Sequence, residues 1–571
     1  MSAMTSSHAT EDGDRRRREL TPRALVTGLL IGAVLTPTNV YSGLKIGWSF
    51  NLSITALLIA FAVWRPLARL CGLPAWQLHE SNINQTAASS AASIVSGGLV
   101  APIPAYLLLS GETLGLLPLT AWVFSVSFLG VWVAWFLRVP MLASTQLRFP
   151  VGIATAETLR DTFAHGREAL LRFAAMLASL VVAAITKVID AYWWTLPRFA
   201  PSPRLGELTF GLDPSLMMLG FGAIIGLRAG LSLALGALVA WGAIAPWLLA
   251  SGRVAIPAGS PGGFQPLVEW LIWPGVALMV AASLTAIVRR PRGGWRGARW
   301  FGLAAAPARA GFVLAATLTV TLEITLFDID WLAALLAVPF AFVLAAVAAR
   351  VVGETGIAPI GAIGKVSQLS FAAIAPAQAV TNLMTANVAG GAAGQCADLL
   401  NDLKAGQLVG ATPWRQAVAQ CCGIFVGSIA GSAVFLLMIP APAEQLLTPD
   451  WPAPAVAVWK TVAETLAAGF DSVPPAARWA VLSAALLGVG LGLAERRLGE
   501  AGRFLPSGAT AGLAFVIPAS TSLTLCAGAI LAWALLARAP RLATRFLVAC
   551  AAGLIAGESL FGVFIAIDGL R

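Results

Sequence analysis

The stretch AGGAAGQCADLLNDLKAGQLVGATPWRQ, Ala389 to Gln416, opens as small apolar residues and then sets Asp398, Asp402 and Lys404 within seven positions of one another. At helical spacing Asn387, Gly391, Gln395, Asp398 and Asp402 share one stripe, at steps of four, four, three and four, with Gly394 beside Gln395. Lys404 points away from Asp402. Small residues let a neighbouring backbone or a ligand come close, and two carboxylates one turn apart could bind a cation or carry a proton. The rival reading ends the buried helix near Asp398 and leaves Asp402 and Lys404 in water, because Gly406, Gly410, Pro413 and Trp414 follow as in an interfacial loop. Asp398, one turn deeper, is on either reading the better cavity candidate.

These charges stand out because the rest of the chain is so apolar. With 58% hydrophobic and 11% charged residues, it lies far from soluble domains, where about a quarter of residues are charged. Apolar runs of about 20 residues, the length of a membrane span, recur from residue 23 to 567. Fourteen to sixteen crossings are expected, near 23–44, 48–64, 84–110, 118–138, 168–190, 212–228, 229–250, 266–288, 310–327, 331–352, 366–394, 415–440, 477–495, 507–536 and 542–567. The predicted class is an all-α polytopic integral membrane protein. A polar tail, 1–22, precedes a first transmembrane half, 23–300, and a second, 301–571.

The net charge of +10 does not point to nucleic acid, because the arginines cluster beside spans, as at Arg289, Arg290, Arg292, Arg296 and Arg299. By the positive-inside rule this places the tail, with Arg15 to Arg18, and the 289–300 loop in the cytoplasm. Arg538, Arg541 and Arg545 argue the same for the loop before the last span. The first apolar segment is too long for a removable signal peptide, so the expected location is the inner (plasma) membrane, multi-pass, with a cytoplasmic N-terminus. The six cysteines form no C-x-x-C and read as small buried residues.

Several spans are interrupted: Pro37 and Gly43 in the first, Pro102 and Pro104 in the third, Pro376 in the eleventh and Pro518 in the fourteenth. Broken helices are expected there, and at membrane depth they are tolerated only where protein or a water-filled cavity satisfies the freed backbone. In transporters such breaks mark substrate sites, although any one proline could be a packing kink. FPVGIATAETL (149–159) is like LPSGATAGLAF (505–515), which suggests an internal duplication.

A second polar stripe runs through ESNINQTAASSAASIVSGG (80–98), where Asn82, Thr86, Ser89 and Ser93 follow helical spacing and Gln85 lies alongside. The serines could serve plain helix contact; Glu80, Asn82, Asn84 and Gln85 are too polar to face lipid unpaired. Two such stripes suggest a shared cavity. A third cluster, GETGIAPIGAIGKVSQLSF (353–371), carries Glu354, Lys365 and Gln368 among glycines and prolines and reads as re-entrant or unwound. It is no phosphate loop: Val366 follows the Gly-Lys pair and Pro359 stands where the first glycine belongs. Glu112, Glu157, Glu323 and Glu558 are further intramembrane candidates for proton sites. Gly423, Gly427 and Gly431 form a helix-packing stripe. No catalytic constellation, metal cluster or cofactor motif emerges, so no enzyme activity is expected; HESNI (79–83) has Ile83 where a zinc helix needs histidine.

Four segments in order, NVYSGLKIGWSF (39–50), ESNINQTAASSAASI (80–94), GETGIAPIGAIGKVSQLSF (353–371) and DLLNDLKAGQLVGATPWRQ (398–416), resemble the oligopeptide transporter (OPT) superfamily, in a prokaryotic form close to its yellow stripe-like branch. The resemblance implies a secondary transporter that arose by duplication and couples uptake to the proton gradient. One branch of the family moves small peptides, the other metal chelates of nicotianamine and siderophores. The expected function is therefore proton-coupled symport of small peptides by alternating access, with chelate transport as the alternative and a passive channel as a weaker one. The first segment adds Asn39, Tyr41 and Lys45 to the candidate cavity. Glu80, Glu354, Asp398 or Asp402 would take the proton or hold a substrate ammonium, and Lys45, Lys365 or Lys404 would meet a carboxylate. Expected partners are the substrate, protons and the lipid bilayer, and the glycine stripes make a homodimer conceivable.

Overall fold

The computed structural model describes residues 19–47, 49, 51–143, 147–196, 202–255, 264–287, 306–355, 358, 360–469 and 475–568. The 289–300 loop and most of the polar tail lie outside them. The regular structure is helical, and twelve helices among the described residues are long and apolar enough to cross a membrane. Three shorter apolar helices accompany them.

Helix α1 (Pro22–Ile46) starts on Thr21, whose hydroxyl accepts from Ala24 N–H at 3.2 Å, and stops at Gly47 in the left-handed region, φ 76°. The break expected at Pro37 does not occur. Thr36 Oγ1 and Thr38 Oγ1 flank the proline and donate to Gly32 O (2.8 Å) and Leu35 O (2.6 Å), and the helix runs on through Pro37. Gly43 is a packing residue: an added methyl would lie 2.6 Å from Val100 Cγ1.

Next come α2 (Ser53–Leu70) and α3 (Leu78–Ala92), followed by a true break, a 3-10 turn over Ser93–Gly97 and left-handed Gly98, before α4 (Pro102–Ser110). The chain continues through α5 (Leu116–Leu142), α6 (Pro150–Ala164), α7 (Gly166–Val188), α8 (Leu216–Ile225), α9 (Leu227–Ala237) and α10 (Phe264–Ile287). The second half holds α11 (Ala306–Phe327), α12 (Trp331–Thr355), α13 (Ile360–Ile374), α14 (Ala379–Val409), α15 (Pro413–Met438), α16 (Pro454–Ala468), α17 (Pro475–Leu498), α18 (Gly508–Leu513), α19 (Ala519–Arg538) and α20 (Pro540–Asp568). Breaks occur as expected near Pro102, Pro376 and Pro518. The expected single span 366–394 is in fact two elements, α13 and α14. At 15 residues, α13 is about 22 Å long, short of the ~30 Å apolar core of a bilayer.

The helices pack as two groups. Residues 22–164 and 306–468 build the first, around α14; residues 166–287 and 475–568 build the second, around α10, α19 and α20. Both halves of the chain thus contribute to both groups in the same order. The two similar motifs do not occupy matching blocks: α6 belongs to the first group and α18 to the second. The groups meet chiefly where α1 faces α20, α2 faces α7, and α10 faces α13 and α16.

One end of the first group is clamped by charge. Glu80, fully buried, accepts from Arg23 Nη2 (2.5 Å) and Nε (2.7 Å), Thr21 Oγ1 (2.7 Å) and Gln77 N–H (3.1 Å). Glu19 accepts from Thr412 N–H (3.0 Å) and Oγ1 (3.1 Å), so its carboxylate caps α15. His79 lies 3.2 Å from Val409 O. The starts of α1, α3 and α15 and the end of α14 therefore share one face.

Candidate functional site

Helix α14 is the longest, 31 residues, and every residue from Thr381 to Ala397 is buried. A helix so rich in Ala, Gly, Asn and Asp has little apolar skin to offer lipid; it is not among the twelve span-like helices, and α3, α5, α6, α12 and α13 sheathe it. Its glycines admit that sheath: an added methyl would sit 2.4 Å from Val126 at Gly391 and 2.9 Å from both Ile360 and Ser96 at Gly394. Two broken segments, the 93–101 turn and the start of α13, thereby meet on the stripe.

The stripes of α3 and α14 face each other. Ser89 Oγ donates to Asp402 Oδ2 at 3.3 Å and Ser53 Oγ to Oδ1 at 3.5 Å. Asp398 is half-buried beside Ser93. Ser96 Oγ donates to Gln395 Oε1 at 3.4 Å, and Asn387 Nδ2 to Gly97 O at 3.2 Å. Gln85 Nε2 donates to Thr86 Oγ1 at 3.0 Å and to Asn82 Oδ1 at 3.4 Å. Several buried polar atoms here have no hydrogen-bond partner among the described residues, including Asn82 Nδ2, Gln85 Oε1, Gln395 Nε2 and Asn387 Oδ1. Buried polar atoms are nearly always paired, so such a concentration marks a place built for polar company. Asp402 is 2% exposed, and the reading that left it in water does not hold, because α14 continues to Val409.

The other candidates lie elsewhere. Asn39 Nδ2 donates to Ala92 O at 2.9 Å and Asn84 Nδ2 to Ala24 O at 3.3 Å, so both tie α1 to α3. Glu80 is held in the clamp already described. Half-buried Lys404 donates to Gln407 Oε1 at 3.3 Å. Glu354 closes α12, and its side chain falls outside the described ones. Lys365 and Gln368 face Trp459 of α16. Tyr41 and Lys45 line a separate cavity between the two helix groups with Lys187, Asp190, Asp213 and Glu558. Glu558 is engaged there, accepting from Ser215 Oγ and Met217 N–H, each at 2.7 Å, where α8 begins. Glu112 and Glu157 are exposed, whereas Glu323 is fully buried with neither oxygen paired among the described residues.

Sequence reasoning missed Ser53, Asn382, Gln416, Gln420 and Trp459. Gln416 Nε2 donates to Asp402 O (2.8 Å) and Thr86 Oγ1 (3.3 Å), joining α15 to both stripes. The one-turn spacing of Gln416 and Gln420 in an apolar span was a legible hint. Ser53 and Trp459 carry no such mark.

Twelve span-like helices around a buried polar helix, with two broken segments meeting on it, define a multi-pass membrane protein of the transporter kind. The family model described as OPT oligopeptide transporter protein matches residues 19–290 and 305–567. The chain belongs to the OPT oligopeptide transporter family. It is 27% identical to the "Putative oligopeptide transporter" of Haemophilus influenzae, with 92% of each protein covered. It is 25% identical to "Probable metal-nicotianamine transporter YSL9" of rice, over 95% of this chain and 89% of that one.

Proposed function

We propose that this transporter is a proton-coupled symporter of small peptides that works by alternating access, with Asp398 and Asp402 as its coupling carboxylates. The observation that carries the reading is the carboxylate pair itself: one turn apart on a buried helix, served by Ser53, Ser89 and Ser93, with no ion pair to either among the described residues. A carboxylate so placed can be neutralised by a proton or by a substrate ammonium, and exchange between the two is the elementary step of symport. The AB-AB order of the helix groups supports an internal duplication and offers two bodies to rock against each other. The arginine-rich 15–18 and 289–299 segments support an inner (plasma) membrane location with a cytoplasmic N-terminus.

Purified protein in liposomes under an imposed pH gradient provides the test, with labelled di- to tetrapeptides. Asp398→Asn is expected to abolish accumulation while retaining exchange of peptide across the membrane without a gradient. Gradient-driven accumulation by both Asp398→Asn and Asp402→Asn at wild-type rates would remove the pair from the mechanism. The rice relative favours a second reading, transport of a metal chelate that brings its own ligands. Competition of peptide uptake by iron–nicotianamine separates the two.

A further inference from the structure

Of the three lysines expected to meet a substrate carboxylate, two are engaged by the protein. Lys45 Nζ donates to Asp450 O and lies 4.9 Å from the Trp451 ring centroid. Lys404 donates to Gln407 near the end of α14. Lys365 differs: it is 3% exposed, and its Nζ has no hydrogen-bond partner among the described residues. Its ammonium stands 4.0 Å from the centroid of the Trp459 ring. An aromatic face offsets part of the cost of burying an ammonium, and a desolvated charge without an anion remains unfavourable.

The surroundings are arranged for a guest. Gln368 Nε2 donates to Trp459 O at 3.2 Å, and Asn382 Nδ2 donates to Gln368 O. Gln368 Oε1, Asn382 Oδ1 and Ser367 Oγ are left unpaired and buried. Trp459 is wedged against both α13 and α14, since an added methyl would lie 2.3 Å from its ring at Gly364 and 3.4 Å at Gly390. Lys365 thus sits level with Gly390, eight residues before Asp398 on α14, an axial distance of about 12 Å.

We propose that Lys365, floored by Trp459, binds a carboxylate of the transported molecule. The assignment rests on the transporter reading above; the carboxylate is that of a peptide C-terminus or of a metal chelate. The test is uptake of trialanine, trialanine amide and iron–nicotianamine by wild-type, Lys365→Met and Lys365→Arg protein, with thermal unfolding of each in detergent. Lys365→Met is expected to be at least as stable as wild type, because it removes an unpaired charge, and to raise the KM for trialanine about ten- to hundredfold. Lys365→Arg recovers part of that loss, and trialanine amide is handled alike by wild type and Lys365→Met. If the chelate is the carboxylate source, the same penalty falls on iron–nicotianamine and trialanine shows no acid–amide difference. Unchanged KM for both acids in Lys365→Met, or no uptake of either by wild type, overturns the assignment. Loss of the pH-gradient effect with the acid–amide difference intact sinks symport and leaves Lys365 standing.

Discussion

Glu80 and Asp402 are both carboxylates buried on helices of the first group, and their neighbours give them different work. Glu80 meets a guanidinium, a hydroxyl and a backbone N–H at the start of α3, and no hydrogen-bonding capacity is left for a substrate. Asp402 meets two hydroxyls and no cation among the described residues. Breaking a buried ion pair by removing one partner costs about 3–5 kcal/mol. Glu80→Gln should therefore lower the unfolding temperature in detergent clearly, while uptake per folded molecule stays near wild type. A variant that unfolds at the wild-type temperature yet fails to transport would move Glu80 from the clamp into the transport path. The composition of 80–98 and of 389–416 could flag both carboxylates as out of place in an apolar chain, but the separation of clamp from cavity needed Arg23 and Ser53, which nothing local connects to them.

At the scale of elements, the glycine stripe of α15 is a packing surface, as its four-residue spacing suggested. A methyl added at Gly427 would lie 2.4 Å from Ala91 O, and one at Gly423 2.3 Å from Ala87 O, so α15 lies directly on the backbone of α3. Overpacking of this kind costs about 1–3 kcal/mol. Gly427→Val should lose stability on thermal unfolding, and Gly490→Val, where an added methyl meets nothing within 4 Å, should not; equal behaviour of the two would contradict direct α3–α15 contact. The breaks near Pro102, Pro376 and Pro518 were legible because proline lacks the N–H that the helix ladder uses. Pro37 misled because a proline can also lie inside a continuous helix, as it does in α1.

For the whole molecule, the seam between the two groups is where alternating access has to act. Tyr41 of α1 and Gly562 of α20 touch across it: a methyl at Gly562 would lie 2.5 Å from Tyr41 Cζ. Joining Tyr41→Cys and Gly562→Cys with a short, reducible bis-thiol reagent is expected to stop uptake, and reduction to restore it. Full uptake by the cross-linked protein would show that the groups need not part at this point. The sequence by itself determined the membrane class, the stripe of α14 and most of the breaks, because hydropathy, helical period and proline chemistry are local properties. Only the tertiary structure decided that Ser89 meets Asp402 across 313 residues, that Asp402 is buried and not the point where α14 reaches water, and that of three lysines Lys365 alone lacks a hydrogen-bond partner among the described residues. Those facts depend on which helix covers which, and that is set by packing between segments far apart in the chain.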